Sequence, residues 1–104
     1  MVEIDVQVQN PIESNPGEAV MTAVSVLGLD ITMDGTLKSF PGSRHWHLKK
    51  PRHTGTLEVT WWPSTNRLWV SYHENRVGDG WVEVVATELA QAIASTLNSP
   101  DVTA

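Results

Sequence analysis

His45-Trp46-His47 is the sharpest chemical signal in this chain. On a strand, residues two apart point to the same side, so the two imidazoles share a face. Such a pair can ligate a cation through neutral ring nitrogens, or move protons beside a carboxylate. The run Thr56–Trp62 supplies that carboxylate, Glu58, and the run Arg67–His73 adds a third histidine. Both runs alternate with period two about Pro63-Ser64-Thr65-Asn66, the pattern of a hairpin with an apolar face and a mixed face.

Pairing through that turn sets Trp61 against Leu68, Val59 against Val70 and Leu57 against Tyr72 on the apolar face. The mixed face pairs Trp62 with Arg67, Thr60 with Trp69, Glu58 with Ser71 and Thr56 with His73. Across the 50–55 loop, Lys49 opposite Thr56 places His47 by Glu58 and His45 by Thr60, while Trp46 and Leu48 join the apolar face. One surface then carries His45, His47, Glu58, Trp62, Arg67, Trp69 and His73, and that surface is the expected functional face.

A metal would draw on His45, His47, Glu58 and His73. Side chains on adjacent strands sit about 5 Å apart and those two strands over about 10 Å apart, which sets His73 far from His45 for one ion. Arg44, Lys49 and Lys50 flank the pair and oppose a cation. The expectation is therefore no tight zinc or copper site and no cofactor. His47 with Glu58 is chemically able to act as an acid–base pair. No nucleophile elbow, phosphate loop or dinucleotide fingerprint names a reaction, so the chain leans away from an enzyme.

Trp46, Trp61 and Trp81 fall on core positions, whereas Trp62 and Trp69 fall on the mixed face. Exposed Trp and Arg are the usual anchors of interfaces, and Trp62 opposite Arg67 suits a cation–π pair. The expected function is thus a binding module whose Trp/His-rich face contacts a protein partner, a second copy of itself or a small ligand. A small enzyme or metal-binding protein built on the histidines is the first alternative. A single-stranded nucleic-acid binder stacking bases on the tryptophans is the second.

The charge distribution disfavours that last reading. The formal net charge is −5, yet all seven basic residues lie within 38–76, where Glu58 and Glu74 are the only acids. A cationic segment in an acidic protein can attract an anion locally, but the flanking acids oppose a phosphate backbone, so nucleic acid is an unexpected partner. There are no cysteines, which excludes disulfides, thiolate metal sites and cysteine nucleophiles. No signal-like segment or apolar run of membrane-spanning length occurs; a cytoplasmic location without membrane contact is the default expectation.

The 104 residues suit one domain, expected over 1–98 with a flexible tail over 99–104. Residues 2–8 alternate as a strand. Asn15-Pro16-Gly17-Glu18 reads as a helix start with Asn15 at the N-cap and Glu18 closing a capping box, and Gly28 as its stop. Val20, Met21, Val24 and Leu27 form its apolar stripe. A short strand is expected over 36–40, a tight turn at Phe40-Pro41-Gly42-Ser43, and a strand over 44–49. Residues 50–55 read as a solvated basic loop. Asp79 is a candidate cap for a final helix from Trp81 to about Leu97, inward through Trp81, Val82, Val85, Leu89, Ile93 and Leu97.

The order β-α-β-β-β-β-α predicts an α+β two-layer sandwich: one antiparallel sheet of four to five strands with two helices on one face. Its α-β-β-β-α part shares the element order of double-stranded-RNA-binding domains. Those place lysines at the start of the last helix, where this chain has Asp79-Gly80-Trp81-Val82-Glu83, so no family is assigned.

Overall fold

The computed structural model describes residues 1–76 and 78–99. Its strands are β1 (Val2–Asp5), β2 (Asp30–Gly35), β3 (Arg44–Lys49), β4 (Leu57–Trp62) and β5 (Arg67–Tyr72); its helices are α1 (Gly17–Val26) and α2 (Trp81–Asn98). The five strands form one antiparallel sheet in the order β1-β5-β4-β3-β2, the α+β sandwich that the alternation predicts. The β3–β4 and β4–β5 registers are those read from the sequence, with His47 opposite Glu58, Glu58 opposite Ser71 and Trp62 opposite Arg67. Period-two patterning fixes such registers, because a slip of one residue would turn every core side chain to the other face.

The core lies between the sheet and the helices. Trp46, Leu48, Leu57, Val59, Trp61, Leu68 and Val70 from the sheet meet Val20, Ala23 and Val24 of α1 and Trp81, Val82, Ala86, Leu89 and Ile93 of α2. Trp46, Trp61 and Trp81 are all buried. Burying each large apolar side chain contributes roughly 1.5–3 kcal/mol, and the mostly apolar inner face of the hairpin is what orders β3, β4 and β5.

Several expectations about element ends are corrected. The second strand is Asp30–Gly35, not 36–40, and residues 36–43 form the connection to β3. Pairing of β1 with β5 runs over Val2–Asp5, extended by the Val6 amide donating to the Leu68 carbonyl at 3.0 Å. Helix α1 begins at Gly17 with Pro16 at the N-cap and has no side-chain cap bond there, so the capping box does not form. Asn15 instead accepts from the Gly17 amide at 2.8 Å. Met21 faces solvent, and Ala19 and Ala23 take inward positions. The Leu29 amide reaches back to the Val24 carbonyl across a left-handed Gly28, the expected glycine stop. Gly80, not Asp79, sits at the N-cap of α2. The predicted tail beyond Ser99 lies outside the described residues.

The 50–55 loop is anchored rather than merely solvated. His53 Nδ1 lies 2.7 Å from Asp79 Oδ2, a contact that holds the Asp79 carboxyl below its ordinary pKa. The Trp81 indole N–H donates to the Thr54 carbonyl. Gly78 has φ +64°, and a β-carbon there would fall 1.9 Å from the Thr54 oxygen. Gly78→Ala is therefore expected to destabilise the fold by more than about 1 kcal/mol, through left-handed strain and the displaced loop. Urea unfolding checks this; an unchanged midpoint would mean the loop does not close on Gly78.

Candidate functional site

The mixed sheet face is not the open aromatic surface that the sequence suggests. Trp69 is 2 % exposed. Phe40, in the connection from β2 to β3, sets its ring edge-on against Trp69 at 5.5 Å and against Trp62 at 4.8 Å. The Trp62 indole N–H donates to the Pro41 carbonyl at 3.0 Å. Arg67 lies over the Trp69 ring, 4.1 Å from its centre, and its guanidinium pairs with Glu3 and Asp5 of β1 at 3.1 and 2.8 Å. The expected Trp62–Arg67 pair is thus replaced by Arg67 on Trp69. The 36–43 segment spends these aromatics on internal packing, so Trp69 is withdrawn from any contact surface.

What remains beside this aromatic patch is a polar cluster around Glu58. Strand β4 is central, with β3 on one side and β5 on the other, so Glu58 is within reach of histidines from both. Glu58 Oε1 lies 3.1 Å from His45 Nε2 and 3.5 Å from His47 Nε2, and its Oε2 lies 3.7 Å from His73 Nε2. The two Nε2 atoms of His45 and His47 face each other at 3.1 Å. His45, Glu58, Thr60 and Ser71 are buried, while His47 and His73 are half-buried. Exposure of the side chains rises from 4 % for His45 to 12 % for Glu58, 33 % for His47 and 42 % for His73, so His47 and His73 are the solvent-facing members of the cluster.

The ligand atoms of His45, His47 and Glu58 converge within 4.8 Å of one another. The distance objection to a metal concerns His73 and His45, and the converging group leaves His73 out; the side chains of His45 and His47 lean together over Glu58. His73 is brought to the outer oxygen of Glu58 and stands outside that triad. The charge objection weakens. Arg44 is turned to the helix side of the sheet, over the Trp46 ring and paired with Asp34 at 2.8 Å, and the Lys49 ammonium donates to the Gly55 carbonyl.

The electrostatics of the cluster centre on the Glu58 carboxylate. The hydrogen bond from His45 is the chief influence holding the Glu58 carboxyl below its ordinary pKa; burial works against this, and attraction to His47, His45 and His73 adds to it. The stabilisation carried by the ionised Glu58 is complete above the ordinary carboxylate pKa and is lost as pH falls through the depressed folded value. Among the described residues, its ion-pair partners within 4 Å are all histidines, and a histidine is not a permanent cation. Thr60 Oγ lies 2.7 Å from His45 Nδ1. With His45 Nε2 donating to Glu58, Nδ1 accepts from the Thr60 hydroxyl; the other tautomer donates from Nδ1 to Thr60 and carries its lone pair on Nε2, the form a metal ligand needs. Thr60 on the neighbouring strand thereby fixes the ring orientation.

The sequence reading named every acid and base of this cluster but missed Thr60 as an orienting group and Phe40 as a cover. The Thr60–His45 pairing was legible in the register; the role of Phe40 had no periodic signal. Comparison with protein-family models, curated proteins and solved structures finds no match to this chain. No helix among the described residues is long and apolar enough to cross a membrane.

Proposed function

We propose that this protein binds a transition-metal ion of the zinc class on its helix-free sheet face, through His45 Nε2, His47 Nε2 and Glu58 Oε1. The observation that carries this reading is the spacing of the three atoms, 3.1, 3.1 and 3.5 Å. A tetrahedral ion bound at about 2.0–2.2 Å by nitrogen and oxygen sets its ligands about 3.3–3.6 Å apart. The 3.5 Å separation matches that window, while the two at 3.1 Å are hydrogen-bond distances, so an ion would replace these bonds by moving the ligand atoms apart by about 0.2–0.5 Å. Three ligands leave a fourth position on the solvent side. The Thr60–His45 hydrogen bond supplies the outer orientation that metal-bound imidazoles commonly have.

The partner-binding reading relied on Trp62 and Trp69 as anchors, and the burial of Trp69 and the tethering of Trp62 leave it little surface. The histidine cluster is the stronger basis for function.

Calorimetric titration of the chelator-treated protein with zinc tests the proposal. One ion per chain is expected with a Kd of about 1 µM or tighter. Thr60→Val, which keeps the shape and removes the acceptor, is expected to weaken binding by roughly 10–100-fold. His45→Ala is expected to weaken it further. The proposal fails if the wild-type protein gives no saturable heat at 100 µM zinc, or if folded His45→Ala binds as tightly as wild type.

A further inference from the structure

Strand β2 carries an irregularity whose consequence falls on the histidines. Ile31 pairs with Leu48, the next paired residue is Met33 with His47, and the register shifts between Ile31 and Met33. In a regular strand Met33 would share the core face with Ile31. The extra residue, Thr32, turns the alternation over, so Met33 and Gly35 emerge on the histidine face, opposite His47 and His45. Thr32 Oγ donates to the His47 carbonyl at 3.4 Å. Bulges of this kind re-aim side chains at functional sites.

Gly35 makes the re-aiming effective. It offers no side chain opposite His45, and the Met33 sulfur occupies that ground, 3.6 Å from where a Gly35 β-carbon would stand. The thioether therefore lies on the histidine face along the edge strand, over the position opposite His45. Met33 is 37 % exposed, and its unbranched chain moves readily.

We propose that Met33 supplies the third donor of a copper(I) site on this cluster, with His45, His47 and the Met33 sulfur as the soft donor set and Glu58 as the neighbouring countercharge. This rests on the metal-binding reading above and adds the identity of the ion. Thioether and imidazole ligands favour copper(I), whereas zinc is served by the imidazoles and the carboxylate. The two ions thus use different members of one cluster: zinc takes Glu58 directly, and copper(I) takes Met33.

The test is anaerobic competition for copper(I) against a chromogenic chelator, run beside zinc calorimetry, for wild type and Met33→Leu. Leucine keeps apolar bulk at an exposed edge position, so the fold is expected to survive. Met33→Leu is expected to lose at least about tenfold in copper(I) affinity while zinc affinity stays within about twofold. X-ray absorption of the wild-type copper(I) protein is expected to show a sulfur scatterer that Met33→Leu lacks. Equal copper(I) affinity in the two proteins, a matching loss for zinc, or a copper shell without sulfur would each overturn the role of Met33 and leave the zinc site standing. Absence of binding by either ion would overturn both readings.

Discussion

Adding zinc to the metal-free protein is expected to raise its thermal midpoint by roughly 10–20 °C. At a free zinc concentration about a hundred times Kd, a ligand specific for the native state adds about 2.7 kcal/mol. A domain of this size shifts by about 4–8 °C per kcal/mol. The effect arises because the unfolded chain scatters His45, His47 and Glu58, so the binding free energy becomes folding free energy. Glu58→Gln separates this from nonspecific stabilisation. Glutamine keeps the shape of the buried side chain and can accept from His45, but it brings no negative charge to the ion. The metal-free variant is expected to fold and to gain less than about 3 °C from the same zinc. Differential scanning fluorimetry with a chelator-reversal step reads both. A full shift in Glu58→Gln would remove the carboxylate from the site.

Trp69→Glu is expected to leave the protein largely unfolded at 25 °C. On sequence grounds this substitution would break a surface contact and yield a folded monomer. The structure gives Trp69 a different position, between Phe40 at 5.5 Å and the Arg67 guanidinium at 4.1 Å, and 2 % exposed. Removing a buried aromatic costs about 3–5 kcal/mol. The new carboxylate would also stand opposite Asp5, its register partner on β1, in a place that already holds Glu3 and Asp5 around Arg67. Against a stability of about 5–15 kcal/mol for a domain, that loss takes most or all of the margin. Circular dichroism with urea titration is the measurement. A variant within about 1 kcal/mol of wild type would show that the 36–43 segment lifts off Trp69 in solution, and would restore this face as a contact surface.

The two expectations differ in how far the chain itself announced them. The cluster residues His45, His47, Glu58 and His73 were legible because alternation and turn position set the register of three adjacent strands, and register sets which side chains share a row. Their convergence was not legible. Backbone spacing grows by about 5 Å per strand, but a histidine and a glutamate reach beyond that, and Glu58 on the central strand faces both neighbours. Strand spacing weighs His73 against His45, and His73 does stand outside the triad; it does not address how closely His45, His47 and Glu58 lean together. Arg44 was misjudged for a different reason: adjacency in sequence to His45 put it on the opposite face, where Asp34 and Trp46 hold it.

Local periodicity alone sets the inner face, the registers of β3, β4 and β5, the two helices and the residue types on the outer face, because each follows from a pattern repeated over six residues or more. Tertiary structure decided the rest. The 36–43 connection has no periodicity, and only the closed sheet shows Phe40 lying across Trp62 and Trp69. The one-residue bulge at Thr32 reverses the facing of Met33, and a bulge leaves no mark in a pattern of apolar and polar residues until its partner strand is in place. The functional face is therefore written in the sequence as a set of side chains, and its chemistry emerges when neighbouring strands and one loop bring those side chains within bonding distance.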